Sequence, residues 1–254
     1  MAPALTPMPR KAMKMLRLLD RERFGSGFLP NWVQFEHAAR WRFASGVGEG
    51  TYLFADSGAR RVYAFDLSES AVETTRIRCA NFPTVQVSQT SGVSLPLPNS
   101  SIDVFISLET IEHVEEDEEY LQEITRVLKA EGGIFICSTP NRDITMPGKS
   151  LRDRPWNPFH VREYDKTEFL TLLYCGFNNI KLYGQNPKKH WRVKLLKTLG
   201  AALPRHAGGR INSAMKLHRL LNNASSAKEN HIVIEYPTSG DCEYLVAVCS
   251  SPKK

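Results

Sequence analysis

Short apolar runs alternate with amphipathic segments along the middle of the chain. Strands are predicted where β-branched and aromatic residues cluster, and residues 102–107 form the clearest run, typical of a buried parallel strand. Helices are predicted at residues 68–79 and 115–128, the second with acids at its start and one apolar face. The other predicted strands are 62–66, 85–87, 134–137, 177–182 and 244–249. This alternation predicts an α/β fold with a doubly wound, mostly parallel, Rossmann-like sheet.

A glycine run stands near the place where such a sheet would begin. Residues 32–44 are predicted as a helix, because aromatic and alanine residues repeat there at helical spacing. That helix leads directly into Gly46, Gly48 and Gly50, and another helix is predicted at residues 51–56. A first strand is therefore expected to be missing from the middle of the sheet, with residues 41–45 in its place.

Changes in composition divide the chain into three regions. Residues 1–30 are rich in proline and basic residues and are expected to form an N-terminal arm. Residues 31–185 together with 240–252 carry the alternation of strands and helices. Residues 186–239 mix basic and apolar residues, which predicts a basic helical insertion before the last strand. A lid that packs on its own domain is favoured for this insertion, and contact with an anionic membrane surface is the alternative.

Composition narrows the classes of function. The chain has 254 residues, 42% of them hydrophobic, and a formal net charge of +6, so one substantial core is expected. The five cysteines fall in no metal-ligand spacing, which predicts reduced cysteines, no bound metal and a cytoplasmic location. The basic surplus carries too few aromatic residues for base stacking, so no specific nucleic-acid partner is predicted.

The candidate site residues fall at the carboxyl ends of the predicted strands, where ligands of such folds bind, and they belong to a larger set of short segments. Its members are residues 46–50, 65–68, 95–98, 109–114, 126–128 with 132–133, 138–141 and 157–161. As a set they resemble the class I S-adenosylmethionine-dependent methyltransferases, a family with a seven-stranded doubly wound sheet. The resemblance also includes residues 36–43 and the last strand.

This resemblance implies S-adenosylmethionine as the cofactor. In the family, the glycine loop passes the methionine portion, an acid after the second strand accepts both ribose hydroxyls, and the next residue covers the adenine. The residues that match these positions, and so are predicted to bind the cofactor, are Gly46, Gly48, Gly50, Asp66, Leu67, Ser91, Gly92 and Leu108. Two acids of the family pattern are absent, because this chain has Ala44 before the glycines and Ser91 near the adenine position.

Two histidines are the candidates for the chemistry. Methyl transfer needs a nucleophile in line with the sulfonium and sometimes a base, a role that suits histidine near neutral pH. His113 and His160 are the predicted catalytic residues. A structural hydrogen bond is an equal alternative for His113, and an ordering role in its loop is the lesser alternative for His160.

The sequence thus predicts an S-adenosylmethionine-dependent methyltransferase that acts on a small-molecule or glycan-type acceptor at oxygen. The alternative is a degenerate methyltransferase-like protein with weak or no cofactor binding, which acts as a partner or at a membrane surface. The expected loss of the first strand and the two absent acids motivate this alternative.

Overall fold

The computed structural model describes residues 31–35, 48–187, 233–235 and 242–253. The strands are β1 (Asn31–Phe35), β2 (Arg61–Asp66), β3 (Val85–Gln89), β4 (Val104–Leu108), β5 (Ile134–Pro140), β6 (Phe177–Pro187), β7 (Val233–Glu235) and β8 (Cys242–Pro252). The α-helices are α1 (Glu49–Asp56), α2 (Glu69–Arg78), α3 (Asp117–Val127), α4 (Arg142–Thr145) and α5 (Lys166–Gly176), and a 3₁₀ helix covers Ile111–His113.

The described strands join one sheet in the order β3-β2-β1-β4-β5-β8-β6-β7. The first five strands of this order, β3, β2, β1, β4 and β5, run parallel to one another. In contrast, β8 lies antiparallel between β5 and β6, and β7 is antiparallel to β6. The order runs outward from β1 in two directions, which creates a crevice at the carboxyl ends of β1 and β4, the topological switch point of the sheet.

Apolar side chains cover both faces of this sheet. Along β4, Val104 and Ile106 belong to a buried cluster that includes Phe54 of α1, whereas Phe105 belongs to a second cluster with residues of α3 and α5. The side chains of β5 divide between the two clusters in the same way. Successive side chains of a strand point to opposite faces, so strands that are buried on both faces read as continuous apolar runs.

The middle strand of the sheet corrects the sequence-based expectation. β1 lies between β2 and β4 and pairs in parallel with both, with Val33 aligned to Tyr63 on one side and to Phe105 on the other. The helix predicted over residues 32–44 is therefore wrong for its first residues, and the expected gap in the sheet is filled. A segment as short as β1 is compatible with both the helical repeat and the strand repeat. Hydrogen bonding to the backbones of β2 and β4 favours the strand. Residues 36–47, with positions 41–45, lie outside the described residues.

The far edge of the sheet carries an eighth strand, where the family resemblance implies seven. β6 continues to Pro187, and its residues Tyr183 to Gln185 pair with β7. The two described pieces of the segment 186–239 are therefore strand, and its other residues, like the arm at 1–30, lie outside the described part of the chain. None of the described helices is long and apolar enough to cross a membrane.

The segment between β5 and α5 begins with the short helix α4. Asn141 caps this helix by accepting a hydrogen bond from the amide of Asp143. Arg142, which is buried, then forms ion pairs with Asp165 and Glu168 at the start of α5. These contacts fix both ends of a segment that carries half of the candidate site.

Candidate functional site

The predicted cofactor-binding residues come from four segments, and three of these lie at neighbouring strand ends on one edge of the sheet. β1, β2 and β4 are adjacent and parallel, so their carboxyl ends lie side by side. Asp66 is the last residue of β2, Leu108 is the last residue of β4, and Gly48 caps α1, the first described helix after β1. The strand order thus directs them to the switch-point crevice, where open α/β sheets bind ligands.

Asp66 is a nearly buried carboxylate at this edge, with 5% of its surface exposed. Its Oδ1 accepts a hydrogen bond of 2.7 Å from the backbone amide of Ser68. Ser68 in turn caps α2, because its hydroxyl accepts a bond of 3.4 Å from the amide of Ala71. The turn after β2 therefore fixes the carboxylate, which has acceptor capacity for more than one further hydrogen bond.

Gly48 has a backbone conformation that few other residue types adopt. Its φ angle is 73°, and a Cβ atom at this position would lie 2.7 Å from Cγ2 of Thr75 in α2. Both the turn into α1 and the close approach of α2 therefore require glycine here. Gly50 is buried in the first turn of α1, whereas Gly46 lies outside the described residues.

The other predicted cofactor contacts follow β2, β3 and β4. Leu67 is 47% exposed, and its carbonyl oxygen accepts a bond of 2.8 Å from the Gln89 side chain. Ser91 is half-buried and Gly92 is buried, while Leu108 packs partly buried against the cluster of α1. An exposed apolar side chain beside a buried carboxylate suits a ligand that carries both an apolar ring and hydroxyl groups.

The residue after β4 has a strained backbone. Glu109 has a φ angle of 53°, a conformation that costs a non-glycine residue about 1–3 kcal/mol. Ser138 of β5 stabilises it, because the amide of Glu109 donates to the Ser138 carbonyl at 3.0 Å and the Ser138 hydroxyl donates to Oε1 of Glu109 at 2.6 Å. This turn leads the chain from β4 into the 3₁₀ helix, which includes Glu112 and His113.

The 3₁₀ helix packs against the loop at residues 157–163. Nδ1 of His113 donates to the carbonyl oxygen of Phe159 at 2.8 Å, and the amide of Val161 donates to the carbonyl oxygen of Glu112 at 2.8 Å. The rings of His113 and His160 are in contact, with 4.8 Å between their centroids. The structure thus brings together the two predicted catalytic residues, which are far apart in the sequence.

Hydrogen bonds define the tautomers of both imidazoles. A carbonyl oxygen only accepts, so Nδ1 of His113 carries the proton and Nε2 carries the lone pair in the neutral ring. Nδ1 of His160 donates to Oε1 of Glu163 at 2.6 Å, and Nε2 accepts from the amide of Asn157 at 2.7 Å. Asn157 is oriented for this role because its Oδ1 accepts a bond of 3.2 Å from the amide of Phe159.

Glu112 is a buried carboxyl group beside this pair. Thr139 donates a hydrogen bond of 3.1 Å to Oε2, whereas Oε1 has no hydrogen-bond partner among the described residues and lies 3.9 Å from Nε2 of His113. Burial, and after it the charge of Glu109, raises the pKa of Glu112 well above its usual range. The group therefore favours its neutral form unless a cation or a donor reaches Oε1.

Sequence reasoning found the two histidines and missed the carboxyl groups that contact them. Glu112 stands next to His113, but no apolar periodicity indicates that it is buried. Glu163 follows His160 in a region with no regular structure, where a spacing of three residues predicts no contact. The available signal for Glu112 is its place shortly after β4, at the carboxyl edge of the sheet.

Comparison with known proteins is consistent with this geometry. Residues 41–137 match a family model described as a methyltransferase domain. A probable S-adenosylmethionine-dependent methyltransferase of Mycolicibacterium smegmatis is 41% identical over 128 residues, which cover 50% of this chain and 47% of the relative. A demethylmenaquinone methyltransferase of Clavibacter sepedonicus is 34% identical over 110 residues, which cover 42% of this chain and 44% of the relative. The chain spans about half the length of the curated relatives it matches.

Solved structures share the fold at low sequence identity. A SAM-dependent methyltransferase of Thermotoga maritima matches with a TM-score of 0.56 and 18% identity, over 96% of this chain and 89% of that chain. The [4+2]-cyclase SpnF matches with a TM-score of 0.59 and 17% identity, over 96% of this chain and 83% of that chain. These likenesses confirm the predicted fold, and at such identities they show the fold alone.

Proposed function

We propose that the chain, which resembles S-adenosylmethionine-dependent methyltransferases over the matched part of its length, transfers the methyl group of S-adenosylmethionine to an oxygen atom of a small-molecule acceptor. The observation that carries the proposal is Asp66, a nearly buried carboxylate at the carboxyl end of β2, beside the switch-point crevice. A carboxylate in this place can accept two ribose hydroxyls, which is the recognition that the cofactor requires.

The described residues at the crevice fit this cofactor. Hydrogen bonds from the ribose hydroxyls to Asp66 would each contribute about 1.5–3 kcal/mol, because the acceptor is charged. The exposed Leu67 offers an apolar surface for the adenine ring. Gly48 brings no side chain to the start of α1, and Leu108 is the last residue of β4.

The chain has to position the acceptor and manage its proton. S-adenosylmethionine, when bound, supplies a methyl group whose bond to sulfur breaks with the electron pair left on sulfur. The acceptor oxygen forms the new bond through a lone pair, and its hydroxyl proton has to leave. We propose His113 and His160 for this task. Their rings are in contact, and His113 follows β4, the strand that ends at Leu108.

Apolar side chains beside the histidines favour an acceptor with an apolar portion. Phe159 and Val161, on either side of His160, are 40% and 39% exposed. One relative is named a demethylmenaquinone methyltransferase, which supports a small molecule over a glycan as acceptor. The glycan acceptor and the contact with an anionic membrane surface stay predictions from the sequence, as does the cytoplasmic location.

Calorimetric titration of the chain with S-adenosylmethionine tests the proposal. Saturable binding is expected, and no binding at millimolar cofactor would contradict the proposal in favour of the degenerate, partner-type alternative. One argument for that alternative was the expected loss of the first strand. This argument no longer holds, because β1 lies between β2 and β4 in the sheet. Parallel assays then separate the small-molecule from the glycan acceptor class. They measure the formation of S-adenosylhomocysteine with a quinol and with a sugar as the acceptor.

A further inference from the structure

We propose that Glu112, His113 and His160 form a binding site for one divalent transition-metal ion. One ligand atom from each of these three side chains lies within 4.8 Å of the other two. The side chains are nearly buried, with exposed fractions of 1%, 6% and 10% in that order. The sequence does not indicate this site because the three residues come from two distant segments that the fold brings together.

The Oε1 atom of Glu112 is the first argument for a cation. This oxygen is buried without a hydrogen-bond partner in the described part of the chain. A buried polar atom without a partner costs about 1–3 kcal/mol, and more when it is charged. A divalent cation at this point would bind Oε1 and would offset the charges of Glu109 and Glu163, which both act on Glu112.

The hydrogen bonds of the two imidazoles are those of metal-ligating histidines. Such a histidine donates its other ring N–H to a carboxylate or a backbone carbonyl, which orients the ring and leaves the remaining lone pair for the metal. His113 donates to the carbonyl oxygen of Phe159 at 2.8 Å, and His160 donates to the carboxylate of Glu163 at 2.6 Å. In both rings the lone pair is then on Nε2.

The side-chain amide of Asn157 contacts Nε2 of His160, the atom that an ion would bind. Its amide donates to Nε2 of His160 at 2.7 Å, so a bound ion has to displace this N–H. Among the described residues, the oxygen of this amide accepts only one hydrogen bond, of 3.2 Å from the backbone amide of Phe159. A rotation of Asn157 therefore costs little compared with the formation of a metal–nitrogen bond.

Two imidazoles and one carboxylate are the ligand set of catalytic zinc sites and of non-haem iron sites, which keep at least one position open. Zinc ligands lie about 2.0–2.2 Å from the ion, so neighbouring ligand atoms of a tetrahedron are about 3.3–3.6 Å apart. The distance of 3.9 Å between Oε1 of Glu112 and Nε2 of His113 is close to this value. Small side-chain rotations would complete the coordination.

The chemical consequence of this site rests on the proposed function. An acceptor hydroxyl bound at the open position would have a lowered pKa and would lose its proton to solvent. The resulting alkoxide would form the new oxygen–methyl bond, while the electron pair of the broken sulfur–methyl bond stays on sulfur. The two histidines would then act on the acceptor proton through the ion and not as free bases.

Titration of the full chain with Zn²⁺, in the absence of cofactor, tests the site independently of methyl transfer. The wild type is expected to bind one ion and to melt at a higher temperature when the ion is bound. The variants Glu112→Gln and His160→Ala are expected to bind Zn²⁺ at least tenfold more weakly. Glu131→Gln, the same change at an exposed glutamate, is the matched control and should bind as the wild type does.

Glu112→Gln also serves as the control for folding defects. Without metal this variant should melt close to the wild type, because Oε1 of Glu112 has no hydrogen bond to lose among the described residues. Equal Zn²⁺ affinity of the wild type, Glu112→Gln and His160→Ala would overturn the proposal and leave an adventitious ion only. Failure of the wild type to bind either Zn²⁺ or Co²⁺ would also overturn it. Neither result affects S-adenosylmethionine binding, so the two proposals fail separately.

Discussion

The imidazole rings of His113 and His160 cross at 86°, with 4.8 Å between their centroids. Each ring is fixed through Nδ1, one by the carbonyl of Phe159 and the other by the carboxylate of Glu163. The pair links the segment after β4 to the loop before α5. Glu112 and the two histidines form a polar, nearly buried group of side chains. Two members of this group, Glu112 and His113, follow β4, the strand whose last residue is Leu108.

Replacement of Gly48 by alanine is expected to destabilise the fold and to weaken cofactor binding. The left-handed backbone costs an alanine about 1–2 kcal/mol, and the contact of its Cβ with Thr75, at 2.7 Å, adds an overpacking cost of about 1–3 kcal/mol. Urea denaturation measures the loss in the free energy of unfolding, and calorimetry measures the affinity for S-adenosylmethionine.

Gly132→Ala is the matched control for this variant. Gly132 has a φ angle of 77°, but a Cβ there meets nothing within 4 Å. Its replacement is expected to cost only the backbone strain of about 1–2 kcal/mol, with unchanged cofactor affinity. If both variants lose the same stability and the same affinity, the contact between Gly48 and Thr75 has no special role.

Replacement of Glu163 by glutamine is expected to weaken Zn²⁺ binding by about 10–100-fold, because the carboxylate that orients His160 becomes a neutral amide. The Zn²⁺ affinity is measured by calorimetry on the cofactor-free chain. Glu131→Gln, at an exposed site, should retain the wild-type affinity. An unchanged Zn²⁺ affinity of Glu163→Gln would show that Glu163 does not position His160 for an ion.

Glu123 stabilises the loop before β4 in a pH-dependent way. Its Oε1 accepts a hydrogen bond of 2.6 Å from the amide of Leu95, and both of its oxygens accept bonds of 2.7 Å from Arg126. The bonds from Arg126 are the main cause of the lowered pKa of Glu123. A pKa that is lowered in the folded state stabilises the fold above the unfolded value of about 4.3, and this stabilisation is lost as the pH falls through the folded value.

Glu123→Gln is therefore expected to lower the free energy of unfolding by about 1 kcal/mol at pH 7, a modest value because the group is partly open to solvent. The difference between the variant and the wild type should shrink as the pH falls below the folded pKa. Denaturation curves across this range provide the measurement. A difference that stays constant into strong acid would contradict the role of the ionised carboxylate.

Much of the sheet could be predicted from the sequence because its central strands are buried on both faces. β4 and β5 read as apolar runs for this reason, and Asp66, which the family resemblance predicts as a cofactor residue, ends the strand β2. The predicted fold is confirmed by the solved structures, and the family model over residues 41–137 and the named relatives agree with the predicted family and cofactor.

Two features depend on contacts that no local pattern encodes. β1 is a strand because it pairs with β2 and β4, although its residues also fit the helical repeat that predicted residues 32–44 as helix. Glu112 and His160 come together only because the loop at residues 157–163 packs on the 3₁₀ helix. Tertiary pairing in the first case and loop docking in the second decided the outcome.

The most direct test of the proposed function is the affinity for S-adenosylmethionine of the wild type, Asp66→Asn and Asp56→Asn, measured by calorimetry. Asp66 is nearly buried at the crevice, whereas Asp56 is exposed at the end of α1. Loss of one charged acceptor worth about 1.5–3 kcal/mol predicts an affinity about 10–150-fold weaker for Asp66→Asn, with Asp56→Asn unchanged. Equal affinities of the wild type and Asp66→Asn, or no binding by the wild type, would contradict the assignment of this crevice as the cofactor site.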